Sequence, residues 1–138
     1  MFSLGKRYHF AAAHTLRSPQ LTATDNERVY GRCANPSGHG HDYLVEIVLC
    51  GETLTDDVLF GHGQLDELVA SHVAPQFAYC DLGVTFGPDF IATGENLVQA
   101  VQALLQPHLP GTLDLTVRLV ETEKNAFAYH RRAADPTL

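Results

Sequence analysis

Two histidines one residue apart, His39 and His41, constrain this chain more than any other feature; Cys33 lies just upstream and a strand-like alternation follows. In an extended strand, side chains at i and i+2 project to one face, so these two imidazoles converge on one point. Two neutral imidazoles on one face suit zinc, which bonds histidine nitrogen at about 2.0–2.1 Å. A catalytic zinc takes a third protein ligand and keeps one position open for water or substrate. His14, at the end of Phe10-Ala11-Ala12-Ala13-His14, is the natural third donor. His14, His39 and His41 all share parity with the apolar positions of their strands, so they point toward a core or pocket. His9, His62, His72, His108 and His130 have no such companion and read as ordinary surface or core residues.

The apolar pattern around these histidines sets the architecture. Residues 4–16 read as a strand with Tyr8, Phe10, Ala12 and His14 on one face. Residues 17–40 lack periodicity and hold prolines, glycines, Asn and Asp; they read as a long loop of the kind that carries function. Residues 41–53 alternate as a second strand, with Tyr43, Val45, Ile47 and Leu49 inward and Cys50 in the apolar stripe behind them. Leu65, Leu68, Val69 and Val73 repeat with a helical period that stops near Pro75, and His72 falls on the same face. Residues 76–92 read as irregular. Thr93 is placed to cap a helix carrying Leu97, Val101, Leu104 and Leu105 and ending at Pro107, with Glu95 in its first turn facing the helix dipole. Leu113 to Glu121 and Ala126–His130 complete the pattern as two more strands. The order β-β-α-α-β-β predicts an α+β fold, with two helices packed on one face of a four-stranded antiparallel sheet.

A length of 138 residues suits a single domain, 1–138, able to bury about two thirds of its unfolded surface. No apolar run approaches the roughly 20 residues of a membrane span, and the N-terminus does not read as a signal peptide. Three cysteines, an odd number, argue against a disulfide framework and for a reduced, cytoplasmic setting. A net charge of −7 opposes binding to nucleic acid or an anionic membrane. All nine Lys and Arg lie in residues 1–32 or 118–132, and Arg17, Arg28 and Arg32 crowd the approach to Cys33. Solubility accounts for such a distribution; so does a basic curl around an anionic ligand such as a phosphate chain.

Cys33 sits in the loop Tyr30-Gly31-Arg32-Cys33-Ala34-Asn35-Pro36 rather than in an apolar stripe. A thiol near Arg32 and a metal is expected to have a lowered pKa, which favours the thiolate that serves as base or nucleophile. A small loop residue or a fourth zinc ligand is its alternative role. Glu121 continues the inward face of Leu115, Val117 and Leu119, so a carboxylate enters apolar space, which is costly unless it is hydrogen-bonded. The adjacent N–H donors on the edge of a pterin or guanine would satisfy both of its oxygens; a strand-end glutamate turned to solvent is the alternative.

Phe10–His14, the run Tyr30-Gly31-Arg32-Cys33-Ala34-Asn35-Pro36-Ser37-Gly38-His39-Gly40-His41-Asp42-Tyr43, Thr93-Gly94-Glu95-Asn96 and Val120-Glu121-Thr122-Glu123 occur together in this order. In these segments the chain resembles the 6-pyruvoyltetrahydropterin synthase family, which includes the 6-carboxytetrahydropterin synthases, from about Phe10 to Tyr129. The resemblance implies the tunnelling fold, with trimers that stack into hexamers, sheets that close into a barrel and active sites between subunits. It also implies zinc on His14, His39 and His41, and Cys33 as the proton-abstracting base. Glu121 would be the catalytic-site anchor of a small-molecule pterin substrate, helped by Thr93 and Glu95. The implied activity is a zinc-dependent lyase of tetrahydrobiopterin biosynthesis that eliminates triphosphate from 7,8-dihydroneopterin triphosphate. Five residues separate Cys33 from His39, a spacing that resembles the pyruvoyl-forming branch.

The chain departs from the family in two places. Members carry an adjacent Asp-His pair ahead of the Thr93-like segment, whereas the corresponding stretch here, Phe77-Ala78-Tyr79-Cys80-Asp81-Leu82, has no histidine. Gly61-His62 stands where an Asp-Phe follows the second strand. These departures leave room for a diverged member that cleaves or epimerises a pterin side chain, 6-carboxytetrahydropterin synthase-like or aldolase-like, and for a non-catalytic pterin-binding module.

Overall fold

Strand β1 (Phe2–His14) pairs antiparallel with β2 (His39–Gly51) along its whole length in the computed structural model, which describes residues 1–133. β3 (Asp114–Val120) and β4 (Ala126–Arg131) extend the sheet in the order β1-β2-β3-β4, every neighbour antiparallel. The alternation read from the sequence holds: Tyr43, Val45, Ile47, Leu49, Leu115, Val117 and Leu119 are all fully buried on one face. Burying a Val, Leu or Ile side chain completely is worth about 1.5–3 kcal/mol, so this face anchors the fold. Cys50 lies on the other face, opposite Ser3 and Asp114, and is only half-buried rather than part of the buried stripe.

The two expected helices cover the buried face. α5 (Gly94–Leu105) begins as predicted, with the Thr93 hydroxyl accepting from the Asn96 N–H at 3.3 Å, and buries Leu97, Val98, Val101 and Leu105. The first helix starts as α2 (His62–Leu68), passes through a π turn (Val69–Val73) and continues as α3 (Ala74–Phe77). The helix therefore does not stop at Pro75. The widened turn lets proline sit in the first turn of α3, where its missing N–H costs no bond. The extra residue also shifts register: Val69, Val73 and Phe77 stay inward, while His72 moves off the Leu65 face and stacks on His108, ring centroids 3.7 Å apart.

Two further helices lie in stretches that lack apolar periodicity. The expected loop contains α1 (Ala23–Tyr30) and a 3-10 turn (Gly31–Ala34), and the irregular 76–92 stretch contains α4 (Leu82–Phe86). α1 is organised by polar groups. Thr22 caps it, and the buried Asn26 accepts from the Ser18 N–H at 2.7 Å while its Nδ2 reaches the carbonyls of Ser18, Leu21 and Thr22 at 3.0–3.2 Å. Asp81 likewise caps α4 by accepting from Gly83 and Val84. No helix among the described residues is long and apolar enough to cross a membrane.

Candidate metal centre

The β1–β2 register builds the centre. His14 lies directly opposite His39, and His41 lies opposite Ala12, whose methyl leaves room for the imidazole. The three rings meet edge to face, with centroids 4.6–5.0 Å apart. His14 Nε2 and His39 Nε2 are 3.0 Å apart, and the Cys33 sulfur is 3.4 Å from His39 Nε2. Glu121, the first residue beyond β3, brings Oε1 to 3.2 Å from His41 Nε2 and 3.9 Å from His14 Nε2. The donor atoms of His14, Cys33, His39, His41 and Glu121 all lie within 4.8 Å of one another.

This donor set fits a cation. The fully buried His14 has its Nδ1 3.0 Å from the Ala92 carbonyl, which only accepts, so Nδ1 donates there and Nε2 is the ring nitrogen turned into the cluster. His41 Nε2 is buried with no hydrogen-bond partner. Burial pushes the His41 pKa down to about 4, with His14 and His39 adding to the effect, and burial followed by His14 lowers that of His39. Near neutral pH His39 and His41 are therefore uncharged bases facing a carboxylate that is itself 95% buried. Lone pairs aimed at one point repel unless a proton or a metal ion sits among them.

The thiol departs from its expected electrostatics. Burial, and then the Glu121 carboxylate, push the Cys33 pKa up rather than down; the exposed Arg32 side chain has no part in the shift. Glu121 is also raised: burial dominates, His14 opposes it and Glu95 adds to it. A bound dication would reverse both shifts, because it is the largest local charge. Glu121 thus lies inside the cluster, not at the solvent edge. Thr93 and Glu95 sit at the start of α5, beside the Ala92 carbonyl that holds His14. Thr93 is half-buried by its capping bond, and Glu95 is exposed.

Arg17, Arg28 and Arg32 are exposed. Leu16 N–H donates to the Cys33 carbonyl at 2.7 Å, which sets Arg17 and Arg32 on either side of that contact, while Arg28 pairs with Asp25 at 3.4 Å. Arg32 lines an open depression of about 580 Å³ with Gly31, Ala34 and Asn35. A second cleft, of about 480 Å³, runs past His41 between Ala11–Ala13 and Tyr79–Asp81.

Two participants escaped the sequence reading. Tyr43 is fully buried, with its hydroxyl 3.3 Å from His14 Nδ1 and its ring against His41; its parity with His39 and His41 was the available signal. The Ala92 carbonyl had none, since a backbone oxygen carries no side-chain signature. Phe77, in the stretch without a histidine, is fully buried against Phe10 and Phe86 and belongs to the core.

Comparison with known proteins finds likenesses along nearly the whole chain. A family profile described as 6-pyruvoyl tetrahydropterin synthase matches residues 3–132. A 6-pyruvoyl tetrahydrobiopterin synthase of Drosophila melanogaster is 34% identical over 132 residues, covering 91% of this chain and 77% of that protein. One of Poecilia reticulata is 31% identical over 123 residues, covering 87% and 84%. The solved structure of Caenorhabditis elegans 6-pyruvoyl tetrahydropterin synthase superposes with a TM-score of 0.81 at 26% identity, covering 94% of this chain and 95% of that one.

Proposed function

Since the chain belongs to the 6-pyruvoyl tetrahydropterin synthase family, whose profile spans residues 3–132, we propose that it is a zinc-dependent carbon–oxygen lyase that eliminates triphosphate from 7,8-dihydroneopterin triphosphate. The observation that carries this reading is the convergence of three imidazoles, a thiol and a buried carboxylate within 4.8 Å. His14, His39 and His41 hold the metal through Nε2. Zinc bound there supplies Lewis-acid polarisation of the substrate's side-chain hydroxyls. Cys33, as thiolate, takes the proton from the adjacent carbon, a general-base contribution typically worth about 10²–10⁴-fold in rate. Glu121 accepts from the N–H edge of the pterin ring, with Thr93 and Glu95 completing that wall at the start of α5. Arg17 and Arg32, flanking Cys33, offer positive charge to the phosphate chain.

The same reading places the enzyme in the cytoplasm, where the free thiols of Cys33, Cys50 and Cys80 stay reduced. It makes the chain a homo-oligomer, a trimer or a hexamer of stacked trimers. Outer-edge support for this comes from β4, which has no strand partner beyond β3 among the described residues, and from β1, whose outer edge is bridged only at Ala13 by Asp81. Unpaired edges favour strand addition by further copies.

The test is release of inorganic triphosphate from 7,8-dihydroneopterin triphosphate by zinc-loaded protein. Stoichiometric release with a 6-pyruvoyl product supports the proposal, and a loaded protein that leaves the substrate intact overturns it. The stretch Phe77-Ala78-Tyr79-Cys80-Asp81-Leu82, which lacks the family's histidine, favours a second reading, cleavage of the pterin side chain. Mass spectrometry separates the two, because retro-aldol cleavage yields a hydroxymethylpterin and a small aldehyde.

A further inference from the structure

Cys33 stands closer to the metal-binding nitrogens than a base acting only on substrate requires. Around a tetrahedral zinc, bonds of about 2.0–2.1 Å to nitrogen and 2.3 Å to sulfur place the donors about 3.3–3.6 Å from one another. The observed spacings sit near those edges: 3.4 Å from Cys33 Sγ to His39 Nε2 and 3.0 Å from His39 Nε2 to His14 Nε2. The sulfur is held there by the backbone. Leu16 N–H donates to the Cys33 carbonyl at 2.7 Å, and the turn that follows is closed by Asn35 N–H to Arg32 and Gly38 N–H to Asn35. Three imidazoles and one thiolate make a four-donor set, the number a tetrahedral zinc takes, and soft thiolate ligands are matched to zinc.

We propose that, before substrate binds, Cys33 is the fourth ligand of the metal held by His14, His39 and His41, and that substrate oxygen displaces it. The inference rests on the lyase reading above and adds to it a coupling between substrate binding and release of the base. As a substrate hydroxyl oxygen bonds the metal, the sulfur–metal bond breaks. The thiolate lone pair freed in that exchange then accepts the carbon-bound proton. Without substrate, the thiolate is tied up and the metal has no open position at which to activate water. Glu121 Oε1, 3.2 Å from His41 Nε2, is the competing oxygen donor; in this assignment its oxygens serve the substrate's N–H donors instead. The other thiols cannot take the ligand's place: Cys50 lies on the far face of the sheet, and Cys80 Sγ lies 3.3 Å from the Ala78 carbonyl, outside the donor cluster.

Cobalt(II) substitution reads the ligation directly, since a thiolate ligand adds an intense near-ultraviolet charge-transfer band that imidazole and carboxylate do not. The cobalt-loaded protein is expected to show the band, to keep it in Cys50→Ser and Cys80→Ser, to lose it in Cys33→Ser, and to bleach when 7,8-dihydroneopterin triphosphate is added. No band in the wild type, or a band that survives Cys33→Ser, overturns the ligation. A band that persists while triphosphate is released overturns the displacement. Release without a band leaves the lyase reading intact and defeats this one; a band without release does the opposite. Should Cys33→Ser fail to fold, alkylation of the wild type provides the second measurement. At a pH high enough to ionise the metal-free thiol, iodoacetamide should modify Cys33 about tenfold or more slowly in zinc-loaded protein than in chelator-treated protein, because the unligated thiolate is the nucleophile. Equal rates overturn the proposal.

Discussion

A backbone oxygen, not a side chain, decides which way His14 faces. The Ala92 carbonyl accepts a hydrogen bond from Nδ1 at 3.0 Å, so Nε2 is the nitrogen turned to the cluster whatever the side chains around it do. His41 has no comparable tether: its Nε2 is buried without a hydrogen-bond partner. Removing either His39 or His41 takes a nitrogen donor out of the cluster and leaves two imidazoles and the Cys33 sulfur, a set that holds zinc more weakly. Elemental analysis of His41→Ala should therefore find well under one zinc per chain in a protein that remains folded; full zinc content would refute the assignment. Glu121 allows a second test. Glu121→Gln replaces an acceptor oxygen by an amide donor facing the pterin's own donors, and leaving polar groups unpaired in a desolvated site costs about 1–3 kcal/mol. Calorimetry with a pterin should show affinity weakened to that degree, and unchanged affinity would remove Glu121 from the binding wall.

The elements are fastened to one another at a few identifiable points. The first is where α5 meets β4. A Cβ built at Gly94 would run into the ring of Phe127, so the helix can start close to the sheet only without a side chain there. Gly94→Ala should lower stability by about 1–3 kcal/mol, the usual cost of overpacking a close contact. Adding Phe127→Val should recover part of that loss, and strict additivity in chemical denaturation would show that the two residues do not meet. The second point ties α2 to β1. Asp66 accepts from Lys6 Nζ at 2.6 Å and from the Tyr8 hydroxyl at 2.8 Å, and these bonds hold its carboxyl below the usual carboxylate range. A carboxyl whose folded-state value is depressed stabilises the fold above its unfolded value, and that stability disappears as pH falls through the folded value. Asp66→Asn should accordingly be slightly less stable than wild type at neutral pH and lose less on acidification. A parallel acid limb for the two proteins would show that the Lys6–Asp66–Tyr8 contact carries no pH-dependent stability.

For the whole molecule, the centre is a place where folding was not optimised for the metal-free chain. His39 and His41 are held below the ordinary imidazole value, so between that value and their folded values the unfolded chain binds more protons than the folded one. Their contribution is thus complete above the imidazole range and lost as pH falls toward the His41 value of about 4. Glu121, raised by burial, acts in the opposite sense: its cost appears as pH rises through its folded value. In chelator, denaturation midpoints measured from about pH 7 to about pH 5 should fall less for His41→Ala than for wild type, because one of the two imidazoles held below the ordinary value is gone. An equal or larger fall would mean that His41 is not held neutral. Zinc at 100 times its dissociation constant should then add about 2.7 kcal/mol to wild-type stability, an increment that His41→Ala lacks.

What the chain alone determined follows from period and spacing. Two-residue alternation placed Tyr43 to Leu49 and Leu115 to Leu119 on one buried face, helical repeats placed α2 and α5 over it, and i,i+2 spacing put His39 and His41 together; each is a local rule that needs no knowledge of the partner element. Tertiary structure alone decided the rest. α1 could not be read from apolar periodicity because its buried side chain is Asn26, held by four polar contacts to the segment before it. The π turn that carries the helix past Pro75 was equally hidden, since it depends on which side chains α5 and the sheet must meet. So was the sign of the Cys33 shift: sequence neighbours suggested a cation, but the long-range packing brings burial and the Glu121 carboxylate to the sulfur instead. Spacing along a strand sets which face a residue occupies, and only the packed structure sets the charges it meets there.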